Sequence, residues 1–159
     1  MTATLSTSAS ISPDTRHPGV DDQWQCACCF AERPEEVSAT RDATRGFFDQ
    51  VHPGNSADVE AAALVVSELV TNAIRHGHGP GTLTLTAHPD GLDITVTDPN
   101  PELPHARRPD IENGTGGLGW YLITAVCDEL DAAPNPGGGK TVHAHLPWAV
   151  ESWRVGAPG

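Results

Sequence analysis

Glu68, Asn72 and His76 recur at steps of four in the run Leu64-Val65-Val66-Ser67-Glu68-Leu69-Val70-Thr71-Asn72-Ala73-Ile74-Arg75-His76-Gly77. On a helix they line one side. One carboxylate beside one carboxamide can combine a general base with a Mg²⁺ ligand. Mg²⁺ takes oxygen donors, and a protein often supplies only one or two while phosphates and water complete the octahedron. A solvated polar face has the same pattern, and the stripe alone fits both readings. Asp98 is the second candidate. Leu92, Ile94 and Val96 share one face of a strand by period two, and Asp98 falls on that same inward face. A carboxylate there is costly unless a donor meets it. An adenine amino group is one such donor; a strand end already in water is the plainer account. Third, Gly114-Thr115-Gly116-Gly117-Leu118-Gly119 stands before a helix start, where unpartnered N–H groups and the helix dipole favour an anion.

Two familiar phosphate motifs fail on inspection. The glycine run fits G-x-G-x-x-G, but that fingerprint needs a strand leading directly into the turn. The residues before it, Arg107 to Asn113, are polar and contain a proline. Gly139-Lys140-Thr141 resembles the end of a P-loop, yet the position five before Gly139 is Pro134. Thr141 also feeds the alternating run Val142, Ala144, Leu146, a strand where a P-loop requires a helix.

The elements that must position these residues are legible in outline. Trp24 to Ala31 reads as a first strand. Pro34 opens a helix carrying Val37, Phe47, Phe48 and Val51, which ends near His52-Pro53-Gly54. Asn55 or Ser56 caps the second helix, Asp58 and Glu60 suit its N-terminal dipole, and Gly77 ends it. Val59, Ala62, Val66, Leu69 and Ala73 form its core side. Thr82–Ala87 and Leu92–Thr97 alternate as half-buried strands around the turn Pro89-Asp90-Gly91. A loop rich in proline and glycine runs from about Pro99 to Gly117 and is expected to be mobile. A third helix spans Leu118 to about Cys127, and Leu130–Ala133 and Thr141–Leu146 make a last hairpin. The order β-α-α-β-β-α-β-β predicts an α+β fold, a two-layer sandwich with helices on one face of a mostly antiparallel mixed sheet.

Length and charge narrow the function. The 159 residues suit one domain, read as a disordered segment over 1–23, a folded domain over 24–150 and a short tail over 151–159. The net charge of −12, with nine basic residues scattered along the chain, leaves no stripe to track a phosphate backbone. An acidic surface also repels anionic membranes. No apolar run approaches the ~18 residues of a membrane span, and the first 20 residues lack a signal peptide's basic start and apolar stretch. No nucleic acid, no membrane and a cytoplasmic location are therefore expected. Cys26, Cys28 and Cys29 sit too close for a disulfide framework or paired zinc spacing, and read as reduced cysteines in a strand.

Taken in order, Glu68-x-x-x-Asn72, Asp98 closing a strand, Gly114–Gly119 before a helix and Gly138-Gly139-Lys140-Thr141 opening the last strand resemble the Bergerat-fold ATP-binding domain. Histidine kinases, type II topoisomerases and MutL share it. Within that group, Ser67-Glu68-Leu69-Val70-Thr71-Asn72-Ala73 with His76-Gly77 is similar to the small stand-alone serine/threonine kinases of bacteria that act as anti-sigma factors. The resemblance covers about Trp24 to Trp148. It implies ATP and Mg²⁺ as cofactors, with Asn72 ligating the metal and Glu68 taking the proton from a substrate hydroxyl. It implies that Asp98 accepts from the adenine amino group, with Thr141 helping through a water. Asn100 joins the box at Asp98, while Gly114, Gly116, Gly117, Leu118 and Gly119 form part of a phosphate lid. Lys140, with Arg107 and Arg108, would neutralise phosphate charge. By strand parity Thr141 faces opposite to Val142, so its role depends on where the strand starts. The implied partners are a sigma factor and a STAS-type anti-sigma-factor antagonist, and dimers are common in the group, so a homodimer is an expectation.

One departure matters. The family's box reads D-x-G-x-G, whereas this chain has Asp98-Pro99-Asn100-Pro101-Glu102. Asn100 tolerates positive φ and can take the first glycine's place, but Glu102 is a poor replacement for the second. A nucleotide-responsive binding module without phosphotransfer is the alternative function. A histidine-kinase catalytic domain would need a separate dimerisation helix pair, for which 159 residues leave no room.

Overall fold

The computed structural model describes residues 24–51, 56–103 and 118–149. In chain order the elements are β1 (Trp24–Phe30), α1 (Glu35–Val51), α2 (Ser56–His76), β2 (Gly81–His88), β3 (Gly91–Asp98), α3 (Leu118–Val126), β4 (Glu129–Pro134) and β5 (Lys140–Pro147). The strands form one sheet in the order β1-β2-β3-β5-β4. Every pairing is antiparallel, so the mixed sheet expected from sequence is antiparallel throughout. The central strand is β3, and its last residue is Asp98.

Alternation sets the two faces. Cys26, Cys28 and Phe30 of β1 point to the helices, as do Leu83, Leu85 and Ala87 of β2, Leu92, Ile94 and Val96 of β3, and Val142, Ala144 and Leu146 of β5. Against them pack Phe47 and Phe48 of α1, the Val65–Ala73 side of α2 and Ile123 of α3. Side chains of period two meet side chains of period 3.6, which is how a sheet and a helix layer share one core. The α2 core is broader than its sequence pattern suggests: Ala63, Val65 and Val70 are buried as well. Burial also accounts for Cys26 and Cys28, which face the core, while Cys29 between Cys28 and Phe30 is exposed. Burial pushes the Cys28 thiol up to about 12, with Cys26, Cys29 and Glu36 adding to the effect.

Helix α1 looks too polar to face a core, yet Thr40 and Thr44 are buried in it. Their hydroxyls donate to the carbonyls of Val37 and Thr40, each at 2.8 Å, so neither polar atom is buried unsatisfied. Past β5, Trp148 closes the far end of the sandwich. Its ring meets Phe48 edge-on at 5.7 Å, and its Nε1 donates to His88 O at 2.9 Å.

The opposite face of the sheet carries no helix among the described residues. There Asp93 collects three imidazoles: His88 from the neighbouring strand β2, and His143 and His145 from β5. Burial alone would raise the Asp93 carboxyl, but the His145 hydrogen bond and the charge and hydrogen bond of His88 hold it below its ordinary range. His145 is lifted in return: burial lowers it, and the hydrogen bond and charge of Asp93 more than offset that.

Candidate functional site

The C-terminal end of α2 and the end of β3 are in direct contact. Gly77 N donates to Ala73 O at 2.8 Å, extending the helical turn past His76. A Cβ on Gly77 would lie 2.9 Å from Asp98 Cβ and 3.0 Å from Asp98 Cγ. Only glycine lets the helix end lie against that carboxylate. Across the sheet Asp98 pairs with Lys140, and a Cβ on Gly139 would stand 2.2 Å from Asp98 O. Glycines therefore flank Asp98 on both sides.

Asp98 is buried, as strand parity predicted, at 4% exposure. Its Oδ1 accepts from Asn100 N at 2.9 Å and from Lys140 Nζ at 3.0 Å. Lys140 is equally buried and also donates to Asn100 O at 3.1 Å. A cross-strand pair of opposite charge removed from water this completely is stable only when hydrogen bonds satisfy both ends. No described residue donates to Oδ2, which leaves one acceptor on a buried carboxylate.

Lys140 corrects an expectation. Expected to neutralise phosphate charge, it instead places its ammonium on Asp98 and on the Asn100 carbonyl. The register is the cause: Lys140 lies directly opposite Asp98, and directly opposed residues share a face. Thr141 is corrected by the same rule. It lies on the helix-free face, where it approaches Thr97 Oγ1 at 3.3 Å and donates to Asn135 Oδ1 at 2.7 Å. The strand begins at Lys140, so Thr141 does not share the side of Asp98.

Asn100 is also different from its expected role. Among the described non-glycine residues only His78 has positive φ, so Asn100 does not imitate a left-handed glycine. Its side chain works as a clamp instead. Nδ2 donates to His76 O at 2.6 Å and Oδ1 accepts from Glu102 N at 3.0 Å. The first bond satisfies a carbonyl left over at the end of α2, and the second folds the segment after β3 into an Asx turn.

Glu68 and Asn72 are half-buried on α2, and no hydrogen bond engages either side chain among the described residues. Asn72 precedes Gly77 by five residues, about 7.5 Å of helix rise, and Glu68 lies about 6 Å further back. The helix thus carries an unengaged carboxylate and an unengaged carboxamide one turn apart on one side, and runs on to the glycine that lies against buried Asp98. Gly114, Gly116 and Gly117, and with them Arg107 and Arg108, lie outside the described residues. Leu118 and Gly119 form the first turn of α3.

These features fit a purine nucleotide: a buried acceptor for an exocyclic amine at one end, and an unengaged amide oxygen further along. Among the described residues no group of three or more His, Cys, Asp or Glu could hold a metal by itself. A cation here would rest on Asn72 and on oxygens brought by phosphate and water.

The comparisons agree with that geometry. Residues 30–145 match the histidine kinase-like ATPase domain family, and the chain belongs to it. Membership implies ATP binding. Among curated relatives, an anti-sigma F factor of Bacillus licheniformis is 27% identical over 128 residues, covering 72% of this chain and 86% of the relative. One of Geobacillus thermodenitrificans (strain NG80-2) has the same identity and coverage. Another, of Bacillus thuringiensis (strain Al Hakam), is 25% identical over 128 residues. Among the described residues no helix is long and apolar enough to cross a membrane.

Proposed function

We propose that this protein is an ATP-dependent anti-sigma factor that phosphorylates a serine or threonine of an antagonist protein. One observation carries the reading: Glu68 and Asn72 sit one turn apart on one side of α2, both without a hydrogen-bond partner among the described residues, and the same helix runs on to Gly77, which lies against buried Asp98. The names of the relatives support the regulatory half of it. ATP supplies the γ-phosphoryl group to the substrate hydroxyl oxygen and leaves as ADP, and a bound Mg²⁺ would neutralise the phosphate charge. Asp98 holds the base end through its buried carboxylate. Asn72 would hold that Mg²⁺ through its amide oxygen. Glu68 accepts the proton of the incoming hydroxyl, the role of a positioned carboxylate in general-base catalysis. Gly114, Gly116, Gly117, Leu118 and Gly119 close over the phosphates. The partners in this reading are a sigma factor and a STAS-type antagonist, the location is cytoplasmic, and a homodimer is compatible with it.

A specific observation favours a second reading, a nucleotide-responsive binding module without phosphotransfer. Asn100 and Glu102 replace the family's glycines, and Asn100 ties the segment after β3 to the end of α2. One experiment separates the two. ATP binding is titrated with and without Mg²⁺ for the wild type, Asn72→Ala, Asp98→Asn and Glu68→Gln, and phosphoserine or phosphothreonine is then sought on a co-purifying partner. The kinase reading expects Glu68→Gln to bind ATP normally and transfer at least about 100-fold more slowly. Transfer at the wild-type rate would sink Glu68 as the base. Saturable ATP binding with no phosphorylated partner would establish the binding module.

A further inference from the structure

An ammonium group has three protons to donate. Lys140 gives one to Asp98 Oδ1 and one to Asn100 O, and no described residue takes the third. The Lys140 and Asp98 side chains are 6% and 2% exposed, so neither group reaches bulk water freely. The pair therefore presents one unused acceptor, Asp98 Oδ2, beside one unused donor proton on Lys140. Adenine offers the complementary pair on its Watson–Crick edge: an exocyclic amine that donates beside ring nitrogen N1 that accepts. Guanine offers the reverse order, a carbonyl that accepts beside an N–H that donates.

Resting on the nucleotide-binding reading above, we propose that Lys140 reads the base directly, donating to adenine N1 while Asp98 accepts from the amine. The same ammonium pins Oδ1 of Asp98, so only Oδ2 is left to meet the ligand. Lys140 is in this view a specificity residue. Guanine would bring its carbonyl against a buried carboxylate and its N–H against a buried ammonium, leaving both unpaired, and such mismatches are rejected far more strongly than a change of shape.

The test uses the intact chain and three nucleotide probes: ATP, 1-deaza-ATP, which lacks N1, and purine riboside triphosphate, which lacks the amine. Affinities are measured by titration for the wild type and for Lys140→Met. The wild type should bind 1-deaza-ATP at least about tenfold more weakly than ATP, the range of a hydrogen bond to a charged group. Lys140→Met should bind the two equally. A wild type that binds 1-deaza-ATP as tightly as ATP overturns the proposal whether or not the variant folds. A variant that keeps the wild-type ratio overturns it as well. Discrimination against purine riboside triphosphate without discrimination against 1-deaza-ATP leaves Asp98 as the sole base reader and removes Lys140. Failure of the folded wild type to bind ATP at all refutes the nucleotide reading itself, and this proposal falls with it.

Discussion

Gly77 lies against Asp98 so closely that a single methyl group at position 77 would stand 2.9 Å from the Asp98 Cβ and 2.3 Å from Ala73 O. The end of a helix here lies directly against the buried carboxylate side chain that ends a strand. The position of that carboxylate is thus set by the absence of a side chain elsewhere.

Gly77→Ala should accordingly damage the site and the fold together. Overpacking a tight contact costs about 1–3 kcal/mol, so the thermal midpoint should fall measurably. Because Asp98 must shift to make room, ATP affinity should drop at least about tenfold, a loss larger than the lower stability alone explains at temperatures where the variant is fully folded. Calorimetric titration beside a melting curve checks both. Wild-type affinity in a folded Gly77→Ala protein would show that Asp98 need not be held so closely.

Asn100 tests what the family pattern means in this chain. Restoring glycine there, Asn100→Gly, removes the hydrogen bond to His76 O and the acceptor for Glu102 N. Stability should fall by about 1–2 kcal/mol, the scale of two modest hydrogen bonds, although glycine is the residue the family's box has. ATP affinity should change less than in Gly77→Ala. An unchanged melting temperature with a hundredfold loss of affinity would instead mark Asn100 as a direct nucleotide contact.

The helix-free face makes a prediction in pH. The folded value of Asp93 lies below its ordinary 3.8, so its stabilisation is present above that pH and is lost as pH falls through the folded value. His145 lies above its ordinary 6.5, so its stabilisation is present below pH 6.5 and is lost as pH rises through the folded value. The two coexist between about pH 4 and 6.5. The thermal midpoint should decline from there towards pH 8, whereas Asp93→Asn should flatten that alkaline decline. Nucleotide affinity should be untouched, since Asp93 and Asp98 face opposite sides of β3. Unfolding scans across pH on both proteins decide it.

Much of this architecture was legible because it is local. Thr82–Ala87 and Leu92–Thr97 alternate strictly, so period two identified both strands, and parity alone carried Asp98 to the buried face. The capping residues and Gly77 bounded α2. What the sequence does not show has more than one cause. The side of Thr141 follows from parity once the strand starts at Lys140, whereas the place of Lys140 on Asp98 depends on pairing with β3, a register that β5 does not show by itself. The Asp93 cluster stayed invisible for the same reason, since its histidines come from β2 and β5. Asn100 was misread through backbone conformation when its side-chain hydrogen bonds were what mattered. Polar α1 hid its buried face because Thr40 and Thr44 satisfy themselves on the helix's own carbonyls.

The bond between Asp98 and Lys140 joins residues 42 positions apart in the chain. It exists only after β3 and β5 have found each other, and contacts of that range form late because loop closure must precede them. A partly paired chain therefore has no place for a nucleotide, and a ligand held at Asp98 stabilises the finished fold alone. If ATP is that ligand, its supply governs how long each newly made copy survives proteolysis, as well as what the copy does to its partners.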